Sequence, residues 1–266
     1  ELNESKRRPS IETSVHAVMP QTVVAHFHCV NTIAHAVRSD SDVVVAERMK
    51  HLPHLRWGMI PYRRPGMPLA REIAPVAKER PDVLILRNHG IIIAGKTVDE
   101  VSERIETVTR ALAIEPRTTS APDIEHLSRI AAGSEYRLPE DQATHAVALD
   151  KDANRIARMG SLYPDHVIFL GTELGLLEEG QAVDGLLEAA QRAGRPHPKM
   201  ILVPGRGVLV SKELSPGGLA MARCLAEVAL RIEPRAGIDY LDASQEYELT
   251  HWEAEQYRQK LDRAGS

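Results

Sequence analysis

Two apolar runs, Val83–Leu86 and Ile91–Ala94, lie on either side of the tripeptide Asn88-His89-Gly90. Glycine tolerates turn backbone that other residues avoid, so residues 82–94 predict two strands meeting at this point, with the glycine supplying the turn. A chain with such a hairpin must build a sheet. Residues 22–28 are β-branched and apolar enough for a buried strand, and residues 56–62 for a short one. Helices are predicted at 11–19 with Ser10 as N-cap, at 30–38, 41–50 and 68–79, and at 98–113 behind a Thr97–Glu100 capping box. This first part closes near Pro116.

The pattern weakens beyond the Ser/Thr/Pro cluster at 118–122, where short helices are predicted around 123–133 and 140–158. It returns as a strand at 166–171, a helix near 180–193, a strand pair around Pro204–Gly207 and a helix at about 215–232. A polar amphipathic helix is predicted over 243–263. The expected class is α/β in two units, 1–116 and a smaller C-terminal α/β unit at 117–266, with no internal repeat.

Composition narrows the partners. A net charge of −4 argues against nucleic acid, and an aromatic content of 4% leaves little for stacking on bases. No apolar run approaches the roughly 20 residues that span a bilayer, and no basic-then-apolar leader opens the sequence, so no membrane partner is expected. Cys29 and Cys224 form no paired motif, which suits a reducing compartment and a cytoplasmic location. Gly205-Arg206-Gly207 follows a strand but runs into Val208-Leu209-Val210 rather than a helix, which excludes the dinucleotide fingerprint.

His26 and His28 sit two apart on a predicted strand, so both imidazoles project from one face while Phe27 projects from the other. Such a pair can bind one metal ion, and His89, at a strand end beside Gly90, is the natural third ligand. Three neutral imidazoles suit Zn2+, with Mn2+, Co2+ or Fe2+ as alternatives. Spacing alone is equally compatible with a pair of exposed surface histidines.

Taken together, Pro9-Ser10-Ile11-Glu12, His26-Phe27-His28 and Asn88-His89-Gly90 resemble, in order and separation, the class II aldolase/adducin family over residues 8–113. The resemblance implies a three-layer α/β/α domain around a largely antiparallel sheet. It implies one divalent metal ion on His26, His28 and His89, Glu12 as catalytic acid/base and Ser10 as a contact for a substrate phosphate. It also implies a homo-oligomer, with a tetramer favoured. Tyr163-Pro164-Asp165-His166 and the segment His251–Arg258 are similar to longer members, including the aldolase half of bifunctional rhamnulose-phosphate aldolase/alcohol dehydrogenases. The chain is expected to stop where the dehydrogenase would begin. Family members build most of the phosphate pocket from an upstream segment that precedes Glu1, which leaves Ser10 as the expected contact.

The chemistry so implied is that of a lyase, cleaving or forming a C–C bond in a short sugar or sugar phosphate through a metal-stabilised enediolate. Glu12, in the first turn of its predicted helix, would move the proton. A sugar-phosphate 4-epimerase, a dehydratase or a decarboxylase of 3-oxo-acid phosphates would use the same groups, and an adducin-like interaction module would use none of them. Outside this set, His16 lies one helical turn from Glu12, and Arg63 and Arg64 offer cations in a turn. His166 is the best remaining candidate, and the other histidines are expected to be structural or exposed.

Overall fold

In the computed structural model, which describes residues 9–252, the expected hairpin forms. Strands β3 (Val83–Leu86) and β4 (Gly90–Gly95) pair antiparallel with Leu86 opposite Gly90. On its other edge β4 pairs antiparallel with β1 (Val23–Phe27), while β3 pairs parallel with β2 (Trp57–Ile60). The order β1-β4-β3-β2 is therefore largely antiparallel. Alternate residues of β3 enter different cores. Val83 and Ile85 pack with residues of α2 (Val30–Ala36), α3 (Ser41–Met49) and α5 (Val98–Ala111). Leu84 and Leu86 pack with residues of α1 (Thr13–Val18) and α4 (Met67–Ala77). Burial on both faces explains why these strands are apolar without interruption.

The second sheet consists of β5 (Tyr136–Arg137), β6 (Gly175–Leu176), β7 (Met200–Val203) and β8 (Gly207–Ser211), ordered β5-β8-β7-β6. Its pairings are antiparallel, antiparallel and parallel, the same sequence of senses as in the first sheet. The helices follow suit. Helix α6 (Ile124–Ala131) precedes β5 as α1 precedes β1, and α7 (Ala146–Leu149) and α8 (Lys151–Arg158) separate β5 from β6 as α2 and α3 separate β1 from β2. Helices α9 (Val183–Arg192) and α10 (Pro216–Ala229) take the places of α4 and α5. Both hairpins have the same register, with Val203 opposite Gly207, and both turn through a left-handed residue, Asn88 at φ 52° and Gly205 at φ 71°. The expectation of no internal repeat is thus corrected at the level of topology.

Helix α2 of the first unit packs into the core of the second sheet. Ile33, Ala34 and Val37, from α2 and its C-cap, pack with Val147, Ile156, Leu225 and Val228 of α7, α8 and α10. Helix α11 (Ala243–Thr250) begins with a capping box formed by Asp242 and Gln245, and the predicted continuation to residue 263 lies beyond the described residues. Among the described residues no helix is long and apolar enough to cross a membrane.

Three local expectations change. Residues 166–171 form a π-helical turn (His166–Leu170) and not a strand. All five of its residues are buried, so no periodicity reveals the helix; Pro164 lies just before it and Gly171, at φ 90°, ends it. The segment 140–158 breaks at Asp150, whose carboxylate accepts the Ala153 N–H at 2.7 Å and caps α8. The first helix starts at Thr13, with Glu12 at the N-cap position, and Ser10 Oγ accepts the Glu12 N–H (3.2 Å) in the turn before it.

Candidate metal centre

His26 projects from β1, and His28 follows just past the strand end. Because β1 lies beside β4, the β3–β4 turn brings His89 against both. The three rings form a nearly equilateral triangle with centroids 5.3, 5.0 and 4.9 Å apart, and one ligand atom from each lies within 4.8 Å of the others. These are the three histidines expected together, and they can hold a metal ion.

The donor set suits a cation. His26 Nδ1 donates to the Ile91 carbonyl at 3.0 Å, which assigns the proton to Nδ1 and leaves Nε2 as the lone-pair nitrogen. That Nε2 is buried with no hydrogen-bond partner, a costly state that a bound cation would relieve. Burial, then the neighbouring His28, pushes the His26 pKa down to about 4, so the ring is neutral at pH 7, as a ligand must be. Glu12 Oε2 lies 3.7 Å from His26 Nε2, with its side chain 18% exposed. Glu12, His26, His28 and His89 all face a cavity of about 300 Å³, and Ser10 lies at its rim.

Two residues of the 82–94 hairpin act differently from expectation. Asn88 adopts the left-handed backbone and makes the turn, while Gly90 is required for space. A Cβ on Gly90 would lie 2.7 Å from the Phe27 carbonyl oxygen and 3.0 Å from His28 Cδ2. The missing side chain is what allows β4 and the β1 end to approach closely enough for the histidines to converge.

Sequence reasoning missed the residues that the C-terminal unit contributes. His28 Nδ1 donates to Asp165 Oδ2 at 2.7 Å, and Asp165 is buried, with 4% of its surface exposed. Asn88 Nδ2 donates to the Leu162 carbonyl at 2.9 Å and to the Asp239 carbonyl at 2.6 Å. The sequence signal for Asp165 is its place in Tyr163-Pro164-Asp165-His166, beside His166. His166 Nδ1 accepts the Leu162 N–H at 3.2 Å, and burial pushes its pKa down to about 4. It is a structural histidine of the π-helical turn.

The remaining candidates stand aside. His16 is exposed, its ring 6.5 Å from that of His26. Arg63 pairs with Glu72 at 2.9 Å, and Arg64 stacks over Trp252 at 4.4 Å while reaching Glu248 at 3.9 Å. In the second sheet the position matching His89 is Arg206, which has no lone pair to offer a metal and pairs with Asp123 at 2.6 Å. The cleft of about 970 Å³ that Arg206 lines therefore occupies a similar place in the repeat without the ligands.

Residues 1–115 match the family described as Class II Aldolase and Adducin N-terminal domain. The chain is similar to "Uncharacterized oxidoreductase YuxG" of Bacillus subtilis (strain 168), at 27% identity over 150 residues, which is 55% of this chain and 20% of that protein. Among solved structures it is similar to the N-terminal class II aldolase domain of a conserved protein from Thermoplasma acidophilum, at 31% identity and a TM-score of 0.36, covering 41% of this chain and 49% of that one. The chain thus spans a fifth of the Bacillus protein and about half of the Thermoplasma chain. Residues 1–115, which carry the three histidines on a largely antiparallel sheet, thus match a class II aldolase and adducin N-terminal domain.

Proposed function

We propose that this protein is a metal-dependent lyase that cleaves or forms a carbon–carbon bond in a short sugar or sugar phosphate. His26, His28 and His89 would hold one divalent cation, Glu12 would carry the proton, and Ser10 would meet the substrate phosphate. Residues 1–116 would form the metal-binding domain and residues 117–266 an extension packed against it. The observation that carries the reading is the convergence of three imidazoles and one carboxylate on a single cavity.

A divalent cation at this site supplies Lewis-acid stabilisation of negative charge developing on the oxygens of a ketose. Three neutral imidazoles favour Zn2+. Glu12 sits at the cavity wall beside His26, within reach of a bound hydroxyl or carbon acid. In the cleavage direction its carboxylate takes the hydroxyl proton of the aldehyde-forming carbon, and in the reverse direction it returns that proton. Ser10 lies at the rim, where a phosphate can remain hydrated on one side. The free thiols of Cys29 and Cys224 suit a reducing cytoplasm, and the family resemblance favours a homotetramer. The oxidoreductase description of the Bacillus relative belongs to a protein of which this chain spans a fifth.

The test is elemental analysis of protein purified without a metal-binding tag, repeated on His28→Ala and His89→Ala. Near one metal ion per chain, lost in both variants, is expected, together with aldehyde release from a ketose phosphate. Protein that takes up no metal after reconstitution would reject the reading in favour of an interaction module. Metal binding with a single-mass product would point to epimerisation, and CO2 release to decarboxylation.

A further inference from the structure

We propose that Asp165, supplied by the C-terminal unit, is the positioning residue for His28, so that the metal centre is complete only when both units are present. The inference rests on the reading of His26, His28 and His89 as ligands.

Hydrogen-bond geometry carries the argument. An imidazole has two nitrogens, and a partner that accepts a proton from one of them fixes both the tautomer and the ring's direction. For His26 that partner is local, the Ile91 carbonyl on the adjacent strand. His28 lies beyond the end of β1, where no ladder partner holds it. Its Nδ1 instead meets Asp165 Oδ2 at 2.7 Å, a contact across 137 residues of sequence. Asp165 is buried beside Pro164, at the start of the π-helical turn, so its carboxylate has little freedom to move. A buried carboxylate accepting from Nδ1 leaves His28 Nε2 as the ligand nitrogen and fixes the ring's direction.

The same unit also holds the third ligand's turn. Asn88 Nδ2 donates to the backbone carbonyls of Leu162 and Asp239, and Arg87 pairs with the Asp239 carboxylate at 2.5 Å. Residues 162–165 therefore touch the supports of two of the three histidines, one through a side chain and one through backbone.

The experiment measures Zn2+ and Co2+ affinity, by competition with a chromophoric chelator, for the whole chain and for Asp165→Ala, Asp165→Asn and His28→Ala. Far-UV circular dichroism and thermal unfolding check the fold of each. Asp165→Ala is expected to weaken metal binding about 10–100-fold and to alter the visible spectrum of bound Co2+. Asp165→Asn, whose amide oxygen can still accept from Nδ1, should fall between Asp165→Ala and the native chain. If Asp165→Ala does not fold, the Asn variant decides the matter. Native affinity and an unchanged Co2+ spectrum in the folded variants would overturn the proposal. A loss as large as that of His28→Ala would overturn it too, by making Asp165 a ligand. A native chain that binds neither ion would instead overturn the ligand reading itself.

Discussion

At the scale of single residues, the site is a problem of placing lone pairs. His26 is neutral because burial opposes its charge, and its Nε2 faces inward because Ile91 occupies Nδ1. Glu12, 3.7 Å away, owes its place to the turn in which Ser10 Oγ accepts the Glu12 N–H, just before α1 begins. Glu12→Gln keeps shape and volume but removes the proton acceptor. It is expected to lower turnover by about 10²–10⁴-fold while leaving bound metal near the native level. Turnover within a factor of two of native, measured at saturating substrate, would remove Glu12 from the proton-transfer role.

Among the structural elements, the β3–β4 hairpin couples fold to site. Its turn residue is Asn88, which serves both as a left-handed corner and as a tether to the C-terminal unit. Two substitutions separate these roles. Asn88→Gly keeps the corner and strands the Leu162 and Asp239 carbonyls, for a cost of about 1–3 kcal/mol in denaturant unfolding. Asn88→Ala loses the tether as well and adds a Cβ penalty of roughly 1–2 kcal/mol in the left-handed region. Equal stability of the two variants would show that the corner is unimportant. The strands and turn of this hairpin were legible in the sequence, because apolar runs around Asn-His-Gly have few other solutions. The division of labour was not, since the choice between Asn88 and Gly90 depends on Phe27 and His28 lying against β4. The π-helical turn was misread for the same kind of reason: a segment buried on every side carries no periodicity.

For the whole molecule, buried histidines outside the ligand set contribute to the response to acid. His35 Nε2 donates to the Leu112 carbonyl at 3.1 Å, and His166 is enclosed in the C-terminal unit; burial lowers the pKa of each from 6.5 to about 4. Between these values the unfolded chain binds protons that the folded chain refuses. Stability is therefore full above pH 6.5 and falls as the pH drops towards 4, by on the order of 3 kcal/mol for each histidine. His35→Gln should flatten this part of the profile in denaturant titrations made at successive pH values. An unchanged slope would mean that His35 does not supply it. Helix α2 also packs with α10 in the core of the second sheet, so opening this core is expected to release both units together.

Sequence alone determined the local elements and the candidate ligands. Period-two placement of His26 and His28, the glycine after His89 and the cap of α5 all act over a few residues, where spacing maps directly onto geometry. Tertiary structure decided which distant groups meet. It brought Asp165 to His28, set Leu162 and Asp239 beneath Asn88, and built the second sheet on the topology of the first. Those contacts arise from the packing of one unit against the other. No short-range pattern in a chain encodes a hydrogen bond formed across 137 residues.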